Sequence, residues 1–385
     1  MNGSNHKPKI ALMSYAMDNR KAKGIALYTR KLIEGLLEDD RFEFYLVHYE
    51  KVSDPLYKKA NEIIMSEVRL PYGSKFVSQI LFFWKYRKNG FDIVHWFHPR
   101  LYPFYSFAPA KKIVVTVHGA GDITAPHSFV FSRSVFNFIL KNFHRSINAV
   151  IVDSESAKLE VLKHYRFSPE QVRAIYLGGS EDYKPLEKNV AKKVVSEKYG
   201  INNSYILDIS RLQPHKNVTS LIKSYELLRK DNPERKEELV IVGAPTSTKV
   251  EEYEIAKKSQ FADSIRFVDY VDVADLNAFY SASEVFVFPS LDEGFGLPVL
   301  EAMASGVPVI TSNISSLPEI AGEAAVTVDP LNINALASAM NRVLSDKEFA
   351  KTLVDSGLVR AAKFTWSETI ERTKQLYNEL LKNNG

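Results

Sequence analysis

The chain has 385 residues, more than one hydrophobic core usually organises, so its length predicts two domains. Hydrophobic residues make up 45% and charged residues 25%, as in ordinary globular proteins, and the lack of cysteine excludes disulfides, thiolate nucleophiles and cysteine-ligated zinc. The net charge of +4 is uneven: residues 1–190 hold 28 basic and 19 acidic residues, whereas residues 191–385 hold 22 and 27. The halves are therefore expected to attract different partners.

No targeting or membrane-spanning segment is expected. The first nine residues, MNGSNHKPK, lack the apolar region of a signal peptide, and no stretch approaches the roughly 18 apolar residues that span a bilayer. A chain without these segments and without cysteine suits the reducing cytosol. We therefore expect a cytoplasmic protein.

Short β-branched or aromatic runs alternate with stretches of helical periodicity along the chain. Many runs are apolar almost throughout, which is typical of parallel strands covered by helices on both faces. Gly and Pro interrupt both patterns at residues 178–188, where we place a linker. The predicted strands are residues 9–13, 43–48, 92–96, 113–118, 149–153, 173–176, 205–209, 239–242, 265–268, 285–288, 307–311 and 325–328.

This order predicts an α/β fold with two doubly wound domains. Ligands of open α/β sheets bind at the carboxyl ends of the strands. Two such sheets that face one another would form a cleft, so polar residues at strand ends are the candidates for function.

Two residues of the first half occupy such positions. Gly24 precedes a predicted helix after the first strand, which fits either a plain turn or a close approach of ligand to backbone. His118 ends the apolar run 113–118, where it is either a structural histidine or a residue of the cleft.

The stretch SRLQPHKN, residues 210–217, directly follows the strand predicted at 205–209. It places Arg211 and Lys216 on a turn between a strand and a helix. Arginine offers a planar fork of donors and lysine a point charge, and both suit a diphosphate. The alternative is two surface cations on a loop.

The stretch EGFGLPVLEA, residues 293–302, lies between two apolar runs. Pro298 suits the first turn of a helix, where its missing N–H costs nothing. The backbone N–H groups of Phe295, Gly296 and Leu297 would then lie at a helix N-terminus, which attracts anions such as phosphate.

Two glutamates flank this turn. An ionised carboxylate repels phosphate, so Glu293 and Glu301 are better suited to bind sugar hydroxyls. The alternative is that they compensate the helix dipole.

Residues 293–302, with the Pro-Ser that ends the preceding strand and the following MASGVPV, resemble the Glu-x7-Glu signature of the retaining GT-B glycosyltransferases of family 4. Residues 312–330 and the Phe-Thr-Trp of residues 364–366 resemble further segments of that family. The likeness is strong over residues 200–380 and looser over residues 8–180.

The resemblance implies two Rossmann-like domains facing a cleft. It implies an acceptor-binding domain at residues 1–184, a nucleotide-sugar-binding domain at 185–365, and a C-terminal helix at 366–385 that packs back on the first domain.

The resemblance also implies the role of each candidate residue. Arg211 and Lys216 would neutralise the donor diphosphate, and Glu293 and His118 would contact the donor sugar. The remaining donor-binding residues are Glu301, which would bind the ribose, and Gly24, Phe295, Gly296 and Leu297, which would lie near the diphosphate.

The implied reaction is transfer of a hexose from a nucleotide sugar to an acceptor hydroxyl with retention of configuration. Mannose from GDP-mannose is favoured and a UDP-hexose comes next, because the Arg-to-Lys-Asn stretch and the segment after Pro308 resemble mannosyl-transferring members. The chain has no Asp-x-Asp motif in a matching setting, so neither a metal nor another cofactor is expected.

Other functions stay open. A disaccharide synthase or phosphorylase of the same fold would use a soluble sugar or phosphate as acceptor. Glycoside hydrolysis would need the two glutamates about 5 to 10 Å apart and neither cation. A non-catalytic nucleotide-sugar-binding protein would bind without turnover.

The expected acceptor is a lipid-linked or growing glycan. Aromatic and basic residues mix at residues 75–88 and 129–145, which fits either a peripheral contact with an anionic membrane face or helices whose aromatics belong to the core. Nucleic acid is not expected as a partner, because no basic run exceeds a few residues.

Overall fold

The structure is a computed structural model that describes residues 7–18, 24–52, 54–65, 74–88, 90–97, 107–118, 144–244 and 251–382. The chain divides into two compact units. The first unit contains Met1–Leu177 and Trp366–Gly385, and the second contains Gly178–Thr365.

The first unit is built on a parallel sheet of seven strands in the order β3-β2-β1-β4-β5-β6-β7. Its central strands are mostly buried, as expected for apolar strands of a parallel sheet. The strands are β1 (Lys9–Met13), β2 (Glu43–His48), β3 (Asn61–Ile64), β4 (Phe91–Trp96), β5 (Ala110–Val117), β6 (Ala149–Val152) and β7 (Val172–Ala174). The helices are α1 (Ile25–Leu36), α2 (Ser74–Tyr86) and α3 (Glu155–His164).

The C-terminal helix also belongs to the first unit. This helix, α12 (Trp366–Lys382), packs against α1. The Tyr377 hydroxyl lies 2.6 Å from His95 Nδ1 in the core, and the Thr369 hydroxyl donates to the carbonyl of Tyr176 at 2.8 Å. Burial lowers the pKa of His95 to about 3, so this imidazole stays neutral.

The second unit contains a parallel sheet of six strands in the order β10-β9-β8-β11-β12-β13. The strands are β8 (Tyr205–Ile209), β9 (Glu238–Val242), β10 (Ile265–Val268), β11 (Val285–Phe288), β12 (Val309–Ser312) and β13 (Val326–Val328). The helices are α4 (Lys188–Tyr199), α5 (Val218–Asp231), α6 (Glu251–Lys258), α7 (Val273–Ala282), α8 (Leu297–Ala304), α9 (Leu317–Ala321), α10 (Ile333–Ser345) and α11 (Lys347–Ala361).

Both sheets confirm the predicted doubly wound α/β architecture. Each of the predicted runs forms a strand. The observed ends of the strands differ from the predicted ends by a few residues at most. The strand β3 (Asn61–Ile64) was not predicted. It is a short edge strand with three exposed residues, so its sequence lacks the apolar run that marks the others.

The first boundary between the units lies at Leu177, at the start of the expected linker. Residues after it pack on the second unit, which is why the division precedes residue 184. The Ser180 hydroxyl contacts the carbonyls of Ala361 and Phe364 at 3.0 and 3.1 Å. Gly179 lies so close to Leu297 that a Cβ would come within 2.7 Å of its side chain.

Candidate functional site

The main candidate site lies at the carboxyl ends of β8 and β11 in the second unit. Residues 210–217 follow β8. Residues 289–296 follow β11 and precede α8. Neighbouring parallel strands place these loops at one edge of the sheet. The two stretches that the sequence singled out therefore meet.

An ion pair joins the two stretches. Lys216 Nζ lies 2.5 Å from Glu293 Oε1, although the residues are 77 positions apart in sequence. Both side chains are mostly buried, with exposures of 16% and 14%. Lys216 Nζ also lies 5.3 Å from the centre of the Phe288 ring. An ammonium group has three donors, so Lys216 can keep Glu293 and still bind a phosphate oxygen.

Asn217 fixes the position of Lys216. It has a left-handed backbone (φ 57°), and its amide nitrogen donates to the carbonyls of Pro289 and Pro330 at 3.1 and 2.8 Å. Asparagine tolerates this backbone better than most residues. The side chain thus ties the loop after β8 to the loops after β11 and β13.

Serine hydroxyls hold the loop that carries Glu293. The Glu293 N–H donates to Ser315 Oγ at 3.0 Å, and Ser316 Oγ contacts the carbonyls of Glu293 and Phe295 at 2.9 and 2.7 Å. Ser290, which is fully buried, contacts the carbonyl of His215 at 3.0 Å. These serines were not predicted as site residues, because their function appears only once the loops meet.

The turn before α8 has the expected helix geometry. Gly296 is the N-cap with φ 116°, a value that other residues rarely adopt, and a proline lies in the first turn. The Phe295 side chain is buried and its ring lies 5.9 Å from Phe364, so only its backbone could face a ligand. The first N–H groups of a helix lack partners within the helix, so the amides at Gly296 and Leu297 lie where an anion could bind.

Glu301 lies on α8 and makes different contacts from Glu293. The Tyr280 hydroxyl donates to Glu301 Oε2 at 2.8 Å, and Tyr183 also favours the ionised form of this carboxylate. Burial raises the pKa of Glu301 to about 7, the two tyrosines oppose this rise, and Asp182 adds to it. Neither tyrosine was predicted as a site residue.

A buried carboxyl group lies at the end of β8. Asp208 has no exposed surface; its Oδ2 accepts a hydrogen bond from Ser210 Oγ at 2.6 Å, and its Oδ1 has no partner among the described residues. Burial raises the pKa of Asp208 to about 7, while Lys216 lowers it and Glu293 raises it. Sequence reasoning missed this residue because it is hidden inside an apolar strand.

Arg211 differs from Lys216 in its surroundings. Its side chain is exposed, and within the described ranges it forms no ion pair. The predicted cations are thus one fixed ammonium group and one guanidinium group open to solvent.

The remaining predicted residues belong to the first unit. Gly24 is the N-cap of α1 with φ 70°, and nothing lies within 4 Å of the place a Cβ would take. His118 follows β5; its Nδ1 lies 2.9 Å from Asp153 Oδ2 and its Nε2 lies 3.0 Å from the carbonyl oxygen of Phe97. Both acceptors face ring nitrogens, an arrangement that suits a doubly protonated imidazole.

Asp153 is therefore the acidic partner of His118. It is buried at the start of the turn after β6, and its Oδ1 has no hydrogen-bond partner among the described residues. The Tyr28 ring meets the imidazole edge to face, with centres 4.6 Å apart.

The structure describes only the first of the two aromatic and basic stretches, residues 75–88 and 129–145, over most of its length. On α2, Phe82 and Phe83 are buried in the core, whereas Ile80, Leu81 and Trp84 are exposed, and the Arg87 guanidinium lies 5.0 Å from the Trp84 ring centre. Nearly all of the second stretch, residues 129–143, lies outside the described residues. Among the helices that are described, none is both long enough and apolar enough to cross a membrane.

No cluster of three or more His, Asp or Glu side chains suited to a metal ion occurs in the described part of the chain.

Two sequence families match the chain. The family described as "Glycosyl transferases group 1" matches residues 191–358, and "Glycosyltransferase Family 4" matches residues 22–180. Together they cover every strand of both sheets except β1 (Lys9–Met13).

The chain is similar in sequence to bacterial mannosyltransferases. It is 28% identical over 280 residues to the O-antigen chain mannosyltransferase B of Escherichia coli, which covers 72% of this chain and 73% of that protein. It is 29% identical over 251 residues to the serotype-specific mannosyltransferase WbdA of Escherichia coli, which covers 63% of this chain but only 30% of WbdA.

A solved structure has the same fold. HepE of Anabaena, crystallised with UDP and glucose, superimposes with a TM-score of 0.74 at 17% identity, over 97% of this chain and 100% of that chain. At this identity the likeness supports the fold alone.

Proposed function

Since the chain belongs to the GT-B glycosyltransferases of family 4, we propose that it transfers a hexose from a nucleotide sugar to a glycan hydroxyl with retention of configuration. The proposed donor is GDP-mannose, with a UDP-hexose as the next candidate. The proposed acceptor is a lipid-linked or growing glycan.

The observation that carries the proposal is the Lys216–Glu293 ion pair beside the N-terminus of α8. A cation and the N–H groups of a helix N-terminus suit a diphosphate, and a carboxylate on a loop whose backbone is held by serine hydroxyls suits the hydroxyls of the attached sugar. Arg211 adds a second, exposed cation on the same loop as Lys216.

In the proposed reaction the bond between the anomeric carbon and the diphosphate oxygen breaks. The acceptor hydroxyl oxygen forms a new bond to that carbon on the same face, and its proton passes to the departing phosphate oxygen. Negative charge grows on the leaving diphosphate, so Lys216, Arg211 and the amides at Phe295 to Leu297 would stabilise the transition state.

The other predicted residues keep their proposed roles. Glu293 would bind donor sugar hydroxyls and Glu301 the ribose. His118, oriented by Asp153, would contact the donor sugar, and Gly24 would lie near the diphosphate. The cations and the helix N-terminus would provide the positive charge that a metal supplies elsewhere, so no metal is required.

The relatives support the choice of sugar. The two relatives described above are named as an O-antigen chain mannosyltransferase and a serotype-specific mannosyltransferase. Lys216 and the following Asn217 belong to the stretch that resembles mannosyl-transferring members. HepE was crystallised with UDP and glucose, and this keeps a UDP-hexose as the second candidate.

Thermal unfolding with GDP and with UDP, each in EDTA, tests the donor site. A nucleotide at about 100 times its Kd should stabilise the protein by about 2.7 kcal/mol. We expect one nucleotide to raise the Tm of the wild type but not of Arg211→Ala/Lys216→Ala. Lys223→Ala, which removes an exposed cation of α5, is the control. No rise with either nucleotide would contradict the proposed site.

Turnover distinguishes the remaining functions. Incubation with GDP-mannose or a UDP-hexose and a glycan acceptor in EDTA, with the anomeric configuration determined by NMR, tests transfer, retention and the need for a metal together. A soluble sugar that suffices as acceptor would favour a disaccharide synthase. Nucleotide binding without turnover would favour a non-catalytic protein.

We also propose that α2 contacts an anionic membrane surface. Its exposed Ile80, Leu81 and Trp84 provide an apolar face, and Lys85 and Arg87 lie beside them. Vesicles that contain anionic lipid should sediment the wild type at low salt and should retain much less of Trp84→Ala. Equal sedimentation of both proteins, or none, would contradict the contact.

A further inference from the structure

The carboxylate of Glu301 interacts with two tyrosines, Tyr280 and Tyr183. Tyr280, on α7, is fully buried and donates to Glu301 Oε2 at 2.8 Å. Tyr183, which lies in the segment between β7 and α4, also favours the ionised form of this carboxylate. The two rings meet edge to face with centres 5.8 Å apart, so they fix each other's position.

This arrangement matters because Glu301 is removed from much of the solvent. Burial favours the protonated form of a carboxyl group, and the negative charge of Asp182 nearby adds to this effect. A protonated carboxyl group offers fewer acceptor sites than a carboxylate, and the hydroxyls of a ribose need acceptors. The hydrogen bond from Tyr280 to Oε2 favours the ionised form, and it also orients the carboxylate.

We propose that Tyr280 and Tyr183 are positioning residues for the nucleotide ribose, which keep Glu301 ionised and oriented to accept hydrogen bonds from both ribose hydroxyls. The proposal rests on the proposed function, in which Glu301 binds the ribose. The inference adds two residues of the second unit to the ribose site. Tyr280 lies on α7, and Tyr183 lies in the segment that follows the first unit.

The proposal predicts a loss that depends on the ribose hydroxyls. Loss of a hydrogen bond to a carboxylate shifts its equilibrium towards the protonated form by roughly ten-fold or more, which leaves correspondingly less carboxylate to accept from both ribose hydroxyls. Tyr280→Phe should therefore weaken binding of GDP, or of UDP if that is the nucleotide bound, by about ten-fold or more. Binding of the matching 2′,3′-dideoxy nucleotide should stay within about two-fold of wild type.

The measurement is isothermal titration calorimetry of wild type, Tyr280→Phe, Tyr183→Phe, Glu301→Gln and Tyr280→Phe/Glu301→Gln, each with the natural and with the 2′,3′-dideoxy nucleotide. Tyr205→Phe is the matched control, because the hydroxyl of this buried tyrosine donates to the carbonyl of Phe279, the residue before Tyr280. The control should bind both nucleotides as the wild type does. If Tyr280→Phe does not fold, nucleotide binding by Tyr183→Phe tests the proposal instead.

The outcomes distinguish the proposed ribose-binding role of Glu301 from the proposed positioning role of the two tyrosines. A wild type that binds the dideoxy nucleotide as well as the natural one would overturn the ribose role of Glu301 and this inference with it. Loss of discrimination in Glu301→Gln but not in either tyrosine variant would overturn the inference alone. Loss of discrimination in all three variants, with no further loss in Tyr280→Phe/Glu301→Gln, would support it, since residues that act through one another are not additive.

Discussion

Asp208→Asn should change how the stability of the second unit depends on pH. Asp208 has no exposed surface, and burial raises its pKa from 3.8 to about 7. A raised pKa in the folded state means that the stabilisation present below the unfolded pKa is lost as the pH rises through about 7. The asparagine variant has the same shape and cannot ionise, so it should not lose this stability.

The size of the effect follows from the shift in pKa. The difference between 3.8 and about 7 is roughly 3 pKa units, and at about 1.4 kcal/mol per unit this corresponds to about 4 kcal/mol at high pH. Most of it, about 3 kcal/mol, should develop between pH 5 and pH 8. The free energy of unfolding of the variant minus that of the wild type should therefore rise by about 3 kcal/mol over this range.

Urea unfolding at pH 5 and pH 8 measures this difference. All three tryptophans lie in the first unit, so their fluorescence follows that unit, and far-UV circular dichroism is needed to follow the second. The fluorescence transition should be the same in both proteins. Asp275→Asn is the control: the hydrogen bond from Lys198 lowers the pKa of Asp275 from 3.8, so this carboxylate stays ionised at both pH values and its removal should cost the same at pH 5 and pH 8. Parallel pH profiles for wild type and Asp208→Asn would refute the reasoning.

Three further changes test other contacts. Lys216→Ala should reduce kcat more than it weakens donor binding, because charge on the diphosphate grows in the transition state; initial rates and donor Kd measure the two effects. Asp153→Asn should reduce kcat and should shift the ¹⁵N resonances of the His118 ring towards the neutral form, because the ring loses its carboxylate partner. Tyr377→Phe should destabilise the first unit by about 1–3 kcal/mol, because buried His95 loses a hydrogen bond; tryptophan fluorescence in urea measures this.

Each of these has a result that would contradict it. Equal losses of kcat and donor affinity in Lys216→Ala would mean that the ammonium group binds substrate and transition state alike. An unchanged ¹⁵N spectrum in Asp153→Asn would mean that the carboxylate does not set the state of His118. An unchanged fluorescence transition in Tyr377→Phe would mean that His95 finds another partner.

Most of the fold could be predicted from the sequence. Parallel strands covered on both faces need apolar residues at nearly every position, so they stand out as short runs such as 285–288. The edge strand β3 (Asn61–Ile64) was missed because an exposed edge does not need such residues. The turn before α8 was also legible, since Gly296 and Pro298 are demanded by local backbone geometry.

The site was legible only in part. Lys216 and Glu293 were identified separately, each from its own stretch, but the ion pair between them joins residues 77 positions apart. Asp153 lies 35 positions from His118, and nothing in either stretch points to the other. Tyr280 and Asp208 look like ordinary members of a helix and a strand.

The sequence by itself determined the strands other than β3, the helix that begins at Leu297 and the chemical types of the residues at the strand ends. Periodicity, glycine and proline act within a few residues, so these features are local. Only the tertiary structure decided which side chains are partners and which carboxyl groups are buried. Those properties depend on how the sheet brings distant loops together and removes water from them, because hydrogen bonding and the pKa of a carboxyl group respond to three-dimensional neighbours rather than to neighbours in sequence.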